Sequence, residues 1–539
     1  MDTKALRQKI LDLAIRGKLV PQDPNDEPAS VLLDRIRAEK QQMVKDGKLK
    51  AKDLKNDTVI FVGDDNLHYE KFSDGTIECI EKEIPYALPK NWKWCRLYQL
   101  TEAIPDAMAD GPFGSNLKKE HYTNNQEVRI IQLSNIGENG WENHNKKYTT
   151  YSHASTLARS CVQQGTIVIA KMMPAGRAII VPNIENNYIL SSDVIKFVPH
   201  KKLNKEYLIC ALNSTTFLSQ VAFGAHGVTR IRTSLSKLKE YLVPVPPLPE
   251  QNRIVSLFKS ANSNIGTIIN EKEALLDLLK ITKSKILDLA IRGKLVPQDP
   301  NDEPASVLLE RIRQEKEELI QAGKIKRDKN ESIIFRGDDN SYYEKFSDGT
   351  IKCIAGEIPF VLPTGWCWER LGNVSSIARG GSPRPIDDYL TDSPEGVNWI
   401  KISDTEKDGK FIHNTKEKIK PEGVPKSRFV RNGDFLLTNS MSFGRPYILK
   451  TDGCIHDGWL VIGEIDKIFN QDFLYYGLSS QFMFSELSKV AAGSTVQNLK
   501  SDTVKNVLFP IPPLKEQKCI SERIIELFSI LSAVEVSLS

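Results

Sequence analysis

Twenty-five residues, Lys9 to Leu33 (KILDLAIRGKLVPQDPNDEPASVLL), recur without a change as Lys285 to Leu309. Chance does not produce such a repeat, so the chain is a duplication and must fold as a tandem of related halves. The match continues through Arg35-Ile36-Arg37 and Arg311-Ile312-Arg313, GDDN at Gly63 and Gly337, YEKFSDGTI at Tyr69 and Tyr343, and the pairs Trp92/Trp94 and Trp366/Trp368. A second block closes each half: VPVPPLPEQ from Val243 and FPIPPLKEQ from Phe509. Between the blocks lie Trp92 to Val245 and Trp366 to Ile511, similar in length but with little shared sequence. A constant frame with two divergent inserts points to two different targets.

The proline-rich closing block forces an extended chain, and a helix is predicted to start only after Pro249. Apolar residues then fall at Ile254, Phe258, Ala261, Ile265, Ile268, Leu275, Leu279, Ile286 and Leu289, the four-three spacing of a two-helix seam. Gly293 and Pro297 form the stop. About forty residues make a rod of roughly 60 Å. The same spacing runs through Ile520, Ile524, Leu527, Leu531, Val534 and Leu538, and continues through Leu6, Ile10 and Leu13. The central helix is therefore expected to pair antiparallel with a counterpart assembled from the chain ends, Glu516 to Ser539 and Asp2 to Arg16. An approximate two-fold axis would then set the inserts at opposite ends of the rod.

A second scaffold helix is predicted from Ala29 to about Asp46 and from Ala305 to about Ala322. Asp26 and Asp302 are expected to cap it, and Gly47 and Gly323 to stop it. Its charged face (Arg35, Arg37, Glu39, Lys40; Arg311, Arg313, Glu315, Lys316) reads as solvated. Strands are predicted within Val128 to Ile136, Thr166 to Lys171, Ala178 to Pro182 and Val194 to Pro199. Their second-half counterparts are Asn398 to Ser403, Asp434 to Asn439, Pro446 to Leu449 and Trp459 to Ile465. One amphipathic helix follows in each insert, Lys205 to Ala222 and Phe473 to Val490. The fold class is α+β: two globular α+β domains separated by a long antiparallel coiled-coil helix pair, with a pseudo-two-fold internal repeat. The division is 1–91 scaffold, 92–247 first recognition domain, 248–365 central scaffold with the long helix, 366–513 second recognition domain, and 514–539 C-terminal coiled-coil helix.

Charge separates the two inserts. Trp92 to Val245 carries 18 Lys+Arg against 11 Asp+Glu, a net of +7, whereas Trp366 to Ile511 carries 18 against 18. The first could track phosphates broadly, and the second would need a local patch. The eight cysteines form no C-x-x-C pair, so neither zinc nor a disulfide framework is indicated. No apolar run has membrane length, and the N-terminus lacks a signal-peptide block, which together imply a cytoplasmic protein. Phosphate-loop, amino-methyltransferase, nuclease, hydrolase and metalloprotease motifs are missing, so no catalytic residue is assigned.

Gly-rich polar loops are the candidate recognition surface, because Arg forks onto guanine, Asn pairs with adenine, and backbone amides approach phosphate. In the first insert the candidates are Ser115, Asn116, Lys118 and Lys119 in DGPFGSNLKKEHY, and Ser134 and Asn135 in LSNIGENG. Lys171 and Arg177 in AKMMPAGR and Arg230 and Arg232 in GVTRIRTS complete that set. In the second they are Arg379, Ser382 and Arg384 in RGGSPRP, Lys401 and Ser403 in KISDT, Asn439 and Arg445 in TNSMSFGR, and Gln497 and Asn498 in GSTVQN.

Two inserts, each entered through LPKNWKWCRL or LPTGWCWERL and left through VPVPPLPEQ or FPIPPLKEQ into a long helix, resemble the specificity subunits of type I restriction-modification systems. DGPFGSNLK, GGSPRP and AGSTVQNLK look like loops of their target recognition domains. GVTRIRTS departs from the Gln-Asn form at the equivalent place. The resemblance implies that each domain reads one half of a split, asymmetric double-stranded DNA sequence, with the paired helices as a ruler. It also implies two modification subunits that methylate adenine, restriction subunits that translocate DNA, and no catalysis by this chain. S-adenosylmethionine, ATP and magnesium would belong to the partners. The alternative is a protein-binding adaptor scaffold with two divergent recognition domains.

Overall fold

The computed structural model describes residues 2–54, 57–172, 174–224, 232–327, 331–406, 409–439, 443–491 and 498–538. It divides into two compact units, Met1–Glu271 and Lys272–Ser539. Five scaffold helices are numbered here: α1 (Thr3–Ile15), α2 (Ala29–Lys45), α3 (Leu248–Ile291), α4 (Ala305–Gln321) and α5 (Leu514–Leu538).

The first unit starts with α1, whose N-cap Asp2 accepts from the amides of Lys4 and Ala5. After α2 comes a three-stranded antiparallel sheet, Val59–Val62, His68–Lys71 and Ile77–Cys79. The first insert holds a five-stranded and a four-stranded sheet. In the first, Val128–Ile131 runs parallel to Tyr188–Leu190. In the second, Ile167–Ala170 lies between Ala178–Ile180 and Val194–Phe197. Every residue of Ile167–Ala170 is buried because its two faces serve different cores. Ile167 and Ile169 pack with Tyr207, Leu208 and Ile254, and Val168 and Ala170 with Tyr188 and Leu190. The proline-rich block closes the domain as a strand, Leu242–Val245, antiparallel to Lys93–Arg96.

The second unit repeats this plan by itself. Phe435–Thr438 is buried on both faces, with Phe435 and Leu437 in one core and Leu436 in another. Val397–Ile400 runs parallel to Gly453–Ile455, and Leu508–Ile511 closes against Cys367–Arg370. α5 lies antiparallel to the second half of α3: Lys283 meets Glu535 at 2.7 Å, and Gln298, just past α3, meets Glu516 at 3.2 Å.

Several expectations are corrected. α3 begins at Leu248, so Pro249 sits in its first turn, where a missing N–H leaves no bond unmade. Ile254, Ile265, Leu279 and Ile286 are buried, but Ile268 and Leu275 are 41% and 38% exposed. The single helix expected in each insert is two: Lys205–Leu212 with Thr215–Gly224, and Gln471–Leu478 with Gln481–Ala491. Ser214 and Ser480 cause the breaks. Each hydroxyl donates back to a carbonyl (Ala211, 2.6 Å; Gly477, 2.7 Å) and accepts the amide three residues on. Asp26 does not cap α2. It is buried and takes Arg253 of α3 at 2.6 Å. Lys40 is not on the solvated face either: it is 2% exposed and donates to the Tyr98 and Gln99 carbonyls at 3.2 and 3.0 Å. Among the described residues no helix is long and apolar enough to cross a membrane.

Candidate nucleic-acid interface

Each recognition domain is held to its scaffold by the Glu-Gln pair of the closing block. The buried Glu250 carboxylate accepts from Trp92 Nε1 at 2.9 Å and Gln22 Nε2 at 2.6 Å. Gln251 donates to the Pro246 carbonyl at 2.9 Å and accepts from the Asn204 amide at 2.9 Å. Glu516, Trp366 and Gln298 repeat the first arrangement at 2.8 and 3.2 Å, and Gln517, Pro512 and Asn470 the second at 3.0 and 2.8 Å. Burial pushes Glu250 and Glu516 above the ordinary carboxylate range, against the donors that favour the anion. Asn204 and Asn470 then cap the helices Lys205–Leu212 and Gln471–Leu478.

On this support both domains make the same backbone crossing. Gly111 N donates to Val194 O and Gly380 N to Trp459 O, both at 2.9 Å. Lys171 N donates to Asp193 O at 2.8 Å, as Asn439 N does to Gly458 O at 3.0 Å. Thr233 N donates to Lys171 O at 2.9 Å, as Leu499 N does to Asn439 O at 3.0 Å. A Cβ on Gly111 would lie 1.7 Å from Ser191 O, and one on Gly380 2.2 Å from His456 O, so only glycine permits the crossing. Equivalent positions follow: Asp110 with Arg379, Phe113 with Ser382, Lys171 with Asn439, Ser192 with Asp457, and Arg232 with Asn498.

In the first unit these residues line an open cavity of about 490 Å³. Lys171 Nζ contacts Asp110 at 2.7 Å and Arg232 contacts Asp193 at 2.9 Å, so both cations are held by carboxylates. Ser115 and Asn116 continue from the rim, where the Asn116 carbonyl meets His153 Nε2 at 2.9 Å, and the exposed Lys118 and Lys119 follow. In the second unit Ser382, Arg384 and Lys401 line a cavity of about 550 Å³ organised by Asp457. The Asp457 carboxylate accepts from Ser382 at 2.9 Å and Arg384 at 3.3 Å, and its carbonyl from Arg379 at 3.0 Å and Asn439 at 2.7 Å. Burial opposes ionisation there. The Ser382 hydroxyl, the residue's own amide, His456 and Arg384 outweigh it and hold Asp457 below the ordinary carboxylate range. Lys401 pairs with Glu417. The buried Asn498 Oδ1 has no partner among the described residues.

Other candidates lie apart from these cavities. Asn135 is 0% exposed and donates to the carbonyls of Glu142 and His144, which folds its own loop. Asn145 donates to the Ser134 hydroxyl. That loop docks on α1 through Glu138 to Lys4 and Asn139 to Arg7, and Arg177 faces Glu138. Arg445 stacks over Tyr447 at 5.2 Å, and the Ser403 carbonyl accepts from Lys416. Arg230 and Gln497 lie outside the described residues. Asp110, Asp193 and Asp457 are carboxylates and fall outside the Arg, Lys, Asn, Gln and Ser set that the sequence singles out. Gly111 and Gly380 were the legible signal for the crossing.

Glu39, Glu102 and His200 of the first unit also come within metal-ligand spacing. Lys202 and Lys201 occupy Glu39 at 3.0 and 3.2 Å, and Lys202 chiefly holds its carboxyl down to about 2. The Lys202 amide donates to His200 Nδ1 at 3.2 Å, which leaves the ring proton on Nε2, the atom that faces the carboxylates. Protein cations and a ring N–H thus fill this donor set.

Two α+β domains with one backbone crossing and different polar groups on it define a tandem recognition protein. The chain belongs to the family of the type I restriction modification DNA specificity domain, whose profile matches residues 90–277 and 363–535. It is similar to the type I restriction enzyme EcoEI specificity subunit of Escherichia coli, 27% identical over 98% of this chain and 89% of that one. It is also similar to the EcoAI specificity subunit of Escherichia coli, 32% identical over 70% of this chain and 63% of the relative. The crystal structure of an HsdS subunit from Thermoanaerobacter tengcongensis shares the fold, with a TM-score of 0.50 and 19% identity over 85% of this chain and 94% of that one.

Proposed function

We propose that each recognition domain reads one half of a split, asymmetric duplex sequence through the groups gathered at its crossing. The observation that carries this reading is the shared backbone geometry at Gly111 and Gly380 with different side chains upon it. Arg232 and Lys171 suit guanine and phosphate, and Asp193 and Asp457 can accept from cytosine N4, while the buried Asn439 spends its amide on the Asp457 carbonyl. The chain supplies recognition and no bond-making step. Its scaffold carries two modification subunits that methylate adenine from S-adenosylmethionine, joined by restriction subunits that use ATP and magnesium, all in the cytoplasm.

Exchange of Trp92 to Val245 for the corresponding domain of a relative tests the reading. Methylated adenines mapped in DNA from cells with the hybrid should report a target altered in one half only. A target altered in both halves, or in neither, refutes it.

A further inference from the structure

Phe113 is 81% exposed, an aromatic ring in water at the rim of a cavity whose other groups are mostly polar or charged. One exposed apolar side chain is ordinary on a surface, but the backbone beneath this one is fixed. Gly111 cannot leave the crossing, Pro112 is buried, and the Asn116 amide closes a turn on the Phe113 carbonyl at 2.8 Å. The ring therefore projects from a rigid turn. Carboxylates hold Lys171 and Arg232 in the same cavity, but the exposed Lys118 and Lys119 follow on the loop, so a polyanion drawn to them meets the ring. At the equivalent position of the second unit stands Ser382, whose hydroxyl is bound to Asp457.

Resting on the DNA-reading function above, we propose that Phe113 is a stacking wedge that unstacks one base step in the first half-site, while the second half-site, where Ser382 takes its place, has no such wedge. Apolar side chains inserted at a base step offset the lost base stacking by burying their own surface and by letting the duplex approach more closely. Every base offers a π-face, so such a contact adds affinity with little sequence preference. Recognition of bases then falls to the polar groups behind the ring.

The test uses the full chain with its modification subunits on a duplex that carries the target mapped from methylated adenines. Domain exchange identifies which half belongs to the first domain. Permanganate reactivity of thymines and fluorescence of 2-aminopurine placed at successive positions report unstacking. Beyond the target adenines that the modification subunits turn out of the stack, the wild-type complex should show one further enhanced step, in the first half-site only. Phe113→Ala should abolish it and weaken binding by about 5- to 100-fold, with thermal unfolding unchanged because the ring is exposed, and Phe113→Trp should retain it. Tight binding with no such further step, a further step that survives Phe113→Ala, or equal further steps in both half-sites overturns the wedge. Failure of the wild-type complex to bind the mapped duplex at all overturns the DNA-reading function, and the wedge with it.

Discussion

Lys40 has the sequence context of a solvated helix cation, yet the fold buries it on two carbonyl oxygens. Burial is the main cause that pulls its ammonium from 10.5 down to about 8. The unfolded chain keeps that proton up to about 10.5, so between these values unfolding takes up a proton and this residue makes the fold more stable as pH rises. Denaturant midpoints from neutral pH to 10.5 should therefore shift in favour of the wild type relative to Lys40→Met; a constant difference across that range would contradict the burial. Asp457 is the other decisive residue, because Arg379, Ser382, Arg384 and Asn439 all converge on it. Asp457→Ala should relax sequence preference in the second half-site alone, by about 1–3 kcal/mol of discrimination, measured by methylation of targets altered one base pair at a time. Neither role was legible, since a residue's neighbours across the chain do not appear in its local pattern.

Elements were legible to the degree that their spacing is local. The four-three pattern located α3 and α5, but spacing does not say which seam positions are covered: Ile268 and Leu275 keep it and are exposed. The helix breaks at Ser214 and Ser480 depend on side-chain bonds that hydrophobic periodicity does not register. Ser214→Ala and Ser480→Ala should each cost about 1 kcal/mol, read by urea denaturation, and a loss of the break without loss of stability would be unexpected. Glu250→Ala should cost about 1–3 kcal/mol, because the Trp92 indole N–H is left buried without its acceptor. Trp92→Phe in the same background should then recover part of that loss, which a double-mutant cycle measures.

For the whole molecule, charge and duplication set different expectations for the two recognition domains. The first insert carries a net +7 and the second none, so salt dependence of DNA binding should come mainly from the first. Removing Lys118 and Lys119 together should lower the slope of log affinity against log salt by up to about 1.8, near 0.9 per phosphate contact; an unchanged slope places both lysines off the backbone. The sequence by itself determined the tandem plan, the α+β class, the long helix and the family, because repeats, prolines and apolar spacing are properties of neighbouring residues. Arg232, Lys171, Ser382, Arg384 and Lys401, named from their loops, line the two cavities. Only the tertiary structure decided that Gly111 and Gly380 carry one shared crossing, that carboxylates hold the cations there, and that Asn135 serves its own loop. Those outcomes arise where strands distant in the chain meet, and the backbone bonds that join them can be satisfied by many sequences.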